Sequence, residues 1–395
     1  MDSADPKPER RNDLDWIRIL AVLLLVPFHT ARIFDIFEPF YVKNAELSVG
    51  LSYLVVFFLS RWQMQILFLL AGASTWYALR RRSGGQYIGE RLKRLLVPFV
   101  FGTLVIVPPQ MYYALLFRSA APASYLEFYA QFFQFRPPGM PDYTGIGFSW
   151  AHLWFILDLL VISLIVLPLF MGLKTRTGQR ITAGLGAFLE RGPAIFLLAL
   201  PIPFVDELLP EVDGKPFFIY MLVFIYGFLL MTHSGYQRAL DRYKWLALGL
   251  ALACTTIMGA VEFAGVQFAD NSPGDALLFF IRTFGLWFWL MAILGLGHRY
   301  LTADNRVLRY ARDASYPFYI LHQTVIVAIG FYVVQWTAGV LPKYLFIVVC
   351  SLVVSVVLYD LVVRRTNVTR FLFGMKPLPR PAAPEVVVPS GGTGV

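Results

Sequence analysis

The chain has 395 residues, of which 57% are hydrophobic and 15% are charged, and its formal net charge is +9. Soluble globular domains carry about 25% charged residues, so this composition excludes a soluble protein and indicates a polytopic membrane protein. The two cysteines, Cys254 and Cys350, lie in separate apolar stretches, which argues against a disulfide framework and against a cysteine-based metal site.

Apolar stretches of membrane-spanning length recur along the chain. An α-helix needs about 20 such residues to cross the hydrocarbon core of a bilayer, and ten segments approach or exceed that length. They are 14–36, 50–79, 95–117, 150–172, 193–209, 216–232, 245–266, 275–298, 314–337 and 341–363. The predicted fold is therefore all-α, a polytopic membrane helix bundle with about ten transmembrane helices and both termini on the same side.

Positive charge is distributed unequally between the two sets of connections. Of the 34 Lys and Arg residues, 26 lie in the N-terminal segment, the even-numbered connections and the C-terminal tail, whereas 6 lie in the alternate connections. Because cytoplasmic loops carry an excess of Lys and Arg, both termini are predicted to be cytoplasmic. The net charge then reflects contact with anionic membrane lipids, and no nucleic-acid partner is expected.

The same pattern divides the chain into three parts. Residues 1–13 form a cytoplasmic N-terminal segment, and residues 14–365 form the transmembrane domain. Residues 366–395 end in PLPRPAAPEVVVPSGGTGV, a Pro- and Gly-rich composition that is typical of a disordered tail.

The first predicted span contains a titratable side chain. His29 follows Arg18 by eleven positions in LDWIRILAVLLLVPFH, which corresponds to three helical turns and roughly 16 Å, so both side chains project to broadly the same face. Arg18 would lie near the cytoplasmic surface and His29 beyond the midplane. Ionisable residues inside a membrane are functional candidates by default, although a histidine in a bundle is often only an interhelical hydrogen-bond donor.

The second connection contains an RxxR pair, Arg91 and Arg94, in GERLKRLLVPF. At this spacing an α-helix presents two guanidiniums on one face, which suits the binding of phosphate groups. Cytoplasmic loops are basic in any case, so the pair gains significance mainly from Arg18, with which it could form an anion site at the cytoplasmic mouth.

The second span also contains polar residues, Arg61, Gln63 and Gln65, in LSRWQMQILFLLAG. An arginine at this depth should face the interior and needs a partner or a water-filled cavity. Asp158 in the fourth span and Glu262 in the seventh are candidate partners. A structural pair between Arg61 and Asp158 and a substrate-binding role for Arg61 remain alternatives.

Three further ionisable residues and a long loop complete the set. Arg282 in the eighth span and His322 in the ninth can likewise have either a structural partner or a substrate-binding role. His152 lies in SWAHLWFI, where a Trp belt at the membrane interface is expected, and can be a helix-end residue without a ligand. The loop at about 118–149, with FRPPGMPDYTGIGF, suits a lid or a platform for a polar ligand, or is an ordered surface loop without a ligand.

Together, the motifs LDWIRILAVLLLVPFH, RLKR, HLWFILDLL and SYPFYILHQT resemble the membrane-bound acyltransferase 3 family. RWQMQILFLLAG and VPFHTARIF are similar to the glucans biosynthesis protein C branch of that family. The resemblance extends from about Leu14 to Arg365. One departure is that many relatives in this branch have Trp-His before the Val-Lys-Asn segment, whereas here Phe40 and Tyr41 precede Val42.

The resemblance implies a multi-pass enzyme of the bacterial inner membrane that moves an acyl group from cytoplasmic acyl-CoA to a hydroxyl of an extracytoplasmic glycan. It implies that His29 is the motif histidine, Arg18 the motif arginine, and Arg91 and Arg94 the RxxR pair. Acyl-CoA is then a donor substrate, with no tightly bound cofactor and no metal. The acyl group, the glycan acceptor and the oligomeric state stay undetermined.

These residues are compatible with direct transfer. A nucleotide phosphate held by Arg18, Arg91 and Arg94 would let an extended pantetheine arm carry its thioester to His29, which acts as general base on the acceptor hydroxyl. A covalent acyl-histidine is the alternative. Candidate oxyanion donors are Gln63, Gln65, Tyr319 and Gln323.

Two alternatives concern the substrate. A succinyl group would need a cation near the reaction centre, for which Arg61 is the candidate, with Gln63, Gln65, Asp158 and His322 as further substrate-binding residues.

The competing function is a transporter or flippase for an anionic glycan or lipid-linked intermediate. Such transporters usually contain repeats and paired broken helices, and no internal repeat is evident in this sequence.

Overall fold

The computed structural model describes residues 11–120, 122–137 and 140–378, and this part of the chain is helical. The cytoplasmic segment predicted for 1–13 and the disordered tail predicted for 366–395 lie largely outside the described residues. The principal helices, in chain order, are α1 (Asn12–Ala31), α2 (Val49–Leu79), α3 (Gly84–Phe117), α4 (Tyr125–Phe132), α5 (Ala151–Ile165), α6 (Leu167–Leu173), α7 (Arg176–Leu189), α8 (Gly192–Leu208), α9 (Phe217–Leu230), α10 (Ser234–Phe263), α11 (Pro273–Tyr300), α12 (Arg306–Val333), α13 (Val340–Val363) and α14 (Asn367–Leu372).

Among the described residues, seven helices are long and apolar enough to cross a membrane, namely α1, α2, α3, α10, α11, α12 and α13. The number rises to nine if two bent pairs each count as one span. These pairs are α5 with α6, bent by 47°, and α7 with α8, bent by 112°. The remaining predicted span corresponds to α9, whose 14 residues extend about 21 Å, less than the hydrocarbon thickness. The structure therefore supports an all-α membrane bundle, and ten spans remain a prediction.

Helix α1 packs against four other helices, α2, α11, α12 and α13. It is interrupted at Leu24, between its segments Asn12–Leu23 and Leu25–Ala31, one turn before Pro27, which lacks the N–H that a continuous helix needs. Gln63 of α2 donates from Nε2 to the carbonyl of Ala21 at 3.1 Å. This bond joins α2 to α1 just before the interruption.

The segment between α3 and α5 folds back against α3. Pro108 cannot donate to the carbonyl of Leu104, and the hydroxyl of Tyr129 in α4 donates to that carbonyl at 3.0 Å. Further along, the ring of Trp150 lies 6.4 Å from that of Phe99. Because Phe99 is near the middle of α3, helix α5 begins inside the bundle, not at its surface.

Helices α2 and α9 pack at unusually close range where two glycines meet. A Cβ atom added to Gly227 would lie 1.9 Å from the carbonyl oxygen of Leu69, and a Cβ added to Gly72 would lie 1.9 Å from that of Phe224. Small residues allow this approach in membrane bundles. Both obstacles are backbone atoms, which cannot rotate away.

We therefore expect Gly227→Ala to destabilise the protein, because α2 and α9 must move apart. Overpacking costs about 1–3 kcal/mol, occasionally more, and a backbone clash belongs at the upper end. The measurement is the thermal midpoint of the detergent-solubilised protein. The matched control is Gly249→Ala in α10, where an added Cβ meets nothing within 4 Å in the described part of the chain and alanine favours the helix. Equal midpoints for the two variants would contradict the close packing.

Candidate active site

Three imidazoles from three helices lie together inside the bundle. His29 is near the end of α1, His152 is in the first turn of α5, and His322 is in the middle of α12. The ring centroids of His29 and His322 are 5.2 Å apart, as are those of His152 and His322. His322 is fully buried, His152 is 5% exposed, and His29 is partly buried. We call these three residues the histidine cluster.

Backbone carbonyls determine which ring nitrogen carries the proton in two of the three residues. A carbonyl only accepts, so the contacts require that Nδ1 of His322 donates to Tyr319 and that Nε2 of His152 donates to Ile320 at 3.0 Å. The hydroxyl of Tyr319 in turn donates to the carbonyl of His152, which ties α12 to α5. The nitrogens left with a lone pair are therefore Nε2 of His322 and Nδ1 of His152. Within residues 11–120, 122–137 and 140–378, no group of three or more His, Cys, Asp or Glu side chains is arranged to hold a metal ion.

The loop 32–48 covers one side of the histidine cluster. The ring of Phe40 is stacked on that of His29, with centroids 6.2 Å apart and planes inclined by 19°. The phenol of Tyr41 lies beside the side chains of Gln110 and Gln323, and burial raises its pKa. Arg118 donates to the carbonyls of Phe40 and Tyr41 at 3.0 and 2.9 Å. Phe40, the first residue of the Phe-Tyr dipeptide before Val42, therefore lies against His29.

A buried carboxylate holds this loop in place. Asp35, fully buried, forms ion pairs with Arg32 at 2.9 Å and with Lys43 at 3.1 Å. Burial lowers the pKa of the Lys43 ammonium, and the ion pair with Asp35 partly opposes that effect. Lys343 of α13 donates to the side chain of Asn44 at 3.0 Å. The loop is thus fixed at both ends by charged groups.

Two of the predicted anion-binding arginines lie together towards the other end of α1. Arg18 donates to Ser74 at 2.7 Å and to Asp15 at 3.2 Å. Arg91 donates to Thr75 at 2.7 Å and lies 4.8 Å from the ring centroid of Tyr87. Their neighbouring partners in α2 bring the guanidiniums close enough for their charges to interact. This arrangement provides two adjacent cations that can grip a phosphate.

The third predicted arginine, Arg94, lies apart from this pair. The helix continues after Arg91 as a π-helical turn, Leu92–Leu96, which contains more residues per turn than an α-helix. The i and i+3 positions therefore diverge, and the Arg94 side chain is exposed whereas that of Arg91 is partly buried.

Arg61 and Asp158 are not brought together. The guanidinium of Arg61 lies 4.0 Å from the ring centroid of Phe57, and its charge interacts with those of Glu262 and Arg282. Arg282 is itself paired with Asp206 at 2.6 Å. Phe57 also lines a mainly apolar groove of about 480 Å³ between α2 and α10, so Arg61 faces that side of α2. Asp158 instead interacts with Lys215 and Asp213.

The remaining predicted residues take different positions. The amide of Gln63 is occupied by the bond to α1 described above, whereas Oε1 of Gln65 is buried and has no hydrogen-bond partner within the described chain. The structure thus joins His29 with His322 and Arg18 with Arg91, and it places Arg61, Asp158 and Arg94 elsewhere.

Sequence reasoning missed three residues that build the site: His152, Tyr41 and Arg118. His152 begins the motif HLWFILDLL. The sequence therefore showed the motif but did not show that this histidine is buried. Tyr41 and Arg118 belong to loops, and no periodicity marks them. Their positions result from contacts between segments about 77 residues apart.

Comparison with known proteins gives a family match and a set of curated relatives. The family model described as Acyltransferase domain matches residues 11–360. Curated relatives named glucans biosynthesis protein C, from Salmonella paratyphi A and Salmonella agona among others, are 23% identical over 401 aligned positions. The alignment covers 95% of this chain and 97% of each relative. No solved structure matches the chain.

Proposed function

This chain belongs to the Acyltransferase domain family and is a membrane acyltransferase that transfers groups other than amino-acyl groups, and we propose that it moves an acyl group from cytoplasmic acyl-CoA to a hydroxyl of an extracytoplasmic glycan. The relatives are named for glucan biosynthesis, which makes a glucan the acceptor to test first. The acyl group is succinyl or acetyl. The enzyme would reside in a bacterial inner membrane with both termini cytoplasmic, as the distribution of Lys and Arg favours.

The observation that carries this proposal is a series of buried polar atoms without hydrogen-bond partners in the described ranges. They are the hydroxyl of Tyr316 in α12, Oγ1 of Thr103 in α3 and Nδ1 of His152 in α5. Tyr316 also interacts with the charge of Arg91. Buried polar groups are nearly always paired, so unpaired ones that include Tyr316 near Arg91 and His152 of the histidine cluster favour a polar ligand.

An acyl-CoA has the chemistry to fit both ends. Its phosphates would bind the guanidiniums of Arg18 and Arg91, and its uncharged pantetheine arm carries amide groups that can pair with buried polar atoms. From Tyr316 to His322 the rise along α12 is about 9 Å. The thioester would thereby reach the histidine cluster while the nucleotide stays at the cytoplasmic surface.

The acceptor hydroxyl would then attack the thioester directly. His29 takes the hydroxyl proton as the new C–O bond forms, the C–S bond breaks, and the proton passes from His29 to the leaving thiolate. The reaction yields an ester and free CoA, and His29 returns to its neutral state. The loop 32–48 lies over this histidine and would form one wall of the acceptor site.

For a succinyl donor, the structure gives little support to Arg61 as the partner of the distal carboxylate, because its guanidinium faces Glu262 and Arg282. The cation that interacts with His29 is Arg32. Arg32 is already paired with Asp35 and Glu38, at 2.9 and 2.8 Å. An acetyl donor would need no additional cation.

The test uses purified protein in vesicles that enclose an oligoglucan, with radiolabelled acyl-CoA supplied outside. Molecules with their cytoplasmic face outwards should release CoA outside and acylate the enclosed glucan. Vesicles that carry the glucan across without releasing CoA would instead indicate a transporter. Acylation of glucan only on the donor side would contradict transfer across the membrane.

A further inference from the structure

Of the three buried nitrogens of the histidine cluster that lack partners in the described chain, two lie on the neighbouring rings of His29 and His322. They are Nδ1 of His29 and Nε2 of His322, and neither has a hydrogen-bond partner among the described residues. The two ring centroids are 5.2 Å apart. An unpaired buried nitrogen is costly, so two of them on adjacent rings call for a common explanation.

The tautomer of His322 shows what each nitrogen can contribute. Nδ1 of His322 must carry the proton that it donates to the carbonyl of Tyr319, so Nε2 has a lone pair and can only accept. The two nitrogens are not hydrogen-bonded to each other in this structure, but centroids 5.2 Å apart leave room for such a bond if the His29 ring rotates and Nδ1 carries the proton. The nitrogen of His29 that remains is Nε2, which is not a buried unpaired atom.

We propose that His322 is a positioning residue that accepts a hydrogen bond from Nδ1 of His29 and thereby leaves Nε2 of His29 as the base that faces the acceptor hydroxyl. The proposal deepens the proposed function and rests on it. It assigns His322 the task that a carboxylate performs in a Ser-His-Asp triad, namely to fix the tautomer and orientation of the catalytic imidazole.

The proton balance keeps His322 neutral throughout the reaction. The acceptor hydroxyl gives its proton to Nε2 of His29 while the C–O bond forms, and the bond from Nδ1 to His322 strengthens as His29 becomes an imidazolium. The same Nε2 proton then passes to the thiolate as the C–S bond breaks. His322 retains its own Nδ1 proton, which the carbonyl of Tyr319 holds in place.

No described carboxylate takes this role. The ionisable groups that interact with His29 and His322 are each other, His152 of α5 and Arg32 at the end of α1. His152 directs its Nε2 proton to Ile320. Its Nδ1 also has a free lone pair, but its ring contact is with His322, at 5.2 Å, and the imidazole in ring contact with His29 is that of His322. His322 is therefore the neighbour of His29 whose free lone pair and ring distance suit the bond.

The first test compares His322→Leu with His322→Gln, because only glutamine can accept a hydrogen bond. We expect His322→Leu to lower kcat for acyl transfer by about 10²- to 10³-fold, with the KM for acyl-CoA changed less than threefold. The kcat of His322→Gln should be at least tenfold higher than that of His322→Leu. The proposal is overturned if His322→Leu keeps kcat within threefold, if the change falls on KM alone, or if glutamine is no better than leucine.

A second measurement does not depend on the folding of a variant. In wild-type protein with ¹⁵N-labelled histidine, long-range proton–nitrogen correlation spectra report the tautomer of each ring, and His29→Gln identifies the signal of His29. We expect His29 to carry its proton on Nδ1. A neutral His29 protonated on Nε2 would overturn the proposal.

The two proposals fail in different ways. If His29→Gln retains full transfer, the proposed function itself is wrong, whatever His322 does. If His29→Gln is inactive while His322→Leu is as active as wild type, only the positioning role is wrong.

Discussion

Replacing His29 with alanine should lower kcat/KM for acyl transfer by about 10²- to 10⁴-fold, the range that a general base contributes. The reason is that His29 has the accessible imidazole nitrogen of a cluster into which α1, α5 and α12 bring their histidines. The release of CoA from acyl-CoA in the presence of glucan measures the rate. Thermal unfolding of the same sample shows whether the bundle is intact.

The matched control for His29→Ala is His298→Ala. His298 lies near the end of α11 and pairs with Asp241 at 2.9 Å, a carboxylate outside the histidine cluster. It should retain wild-type transfer. A His29→Ala variant that folds and keeps more than a tenth of wild-type activity would contradict the role of general base.

The same preparation distinguishes direct transfer from an acyl-histidine. If transfer is direct, intact-mass measurement after mixing with acyl-CoA alone should show no acylated protein. A covalent adduct that disappears in His29→Ala and decays when glucan is added would establish the two-step route instead.

Hydropathy predicted the membrane helices well because burial in lipid requires long apolar runs. All ten predicted segments overlap apolar helices of the structure. The boundaries were less accurate where a helix extends beyond the apolar run: α3 begins at Gly84 and α12 at Arg306, although their apolar stretches start near 95 and 314. Their polar first turns carry no hydropathy signal.

Local geometry explains why the Arg94 side chain is more exposed than that of Arg91. The expectation that Arg91 and Arg94 share a face assumed an α-helix, but a π-helical turn intervenes. Single-residue irregularities of this kind depend on how a helix packs, which its own sequence does not specify. Arg18 and Arg91, which the sequence suggested for one anion site, lie close together because α2 holds them through Ser74 and Thr75, and their role in binding stays a prediction.

The histidine cluster depends on contacts that are distant in sequence. His29 and His322 were singled out because ionisable residues inside a membrane are costly. His152 was assigned to the membrane interface, since a position two residues after Trp150 at the start of a span is normally there. The loop before α5 descends into the bundle instead, and that path is set by packing against α3.

Removing the guanidinium of Arg91 should raise the KM for acyl-CoA by about 10- to 100-fold, with kcat changed much less. A hydrogen bond to a charged group contributes about 1.5–3 kcal/mol, and this one would bind phosphate equally in the ground state and the transition state, so its loss appears in KM. Arg91→Ala and Arg18→Ala should therefore have similar effects. Steady-state CoA release over a range of acyl-CoA concentrations measures both constants.

The structure also predicts how much each neighbouring cation contributes to the binding of acyl-CoA. Arg94→Ala should raise KM less than Arg91→Ala, because the exposed Arg94 side chain is screened by salt, and Lys93→Ala, which is exposed as well, serves as the matched control with wild-type constants. Raising the ionic strength should reduce the effect of Arg94→Ala on KM more than the effect of Arg91→Ala. If Arg94→Ala raises the KM for acyl-CoA as much as Arg91→Ala or more, the phosphate binds at the exposed end of the RxxR pair. The Arg18–Arg91 site would then be contradicted.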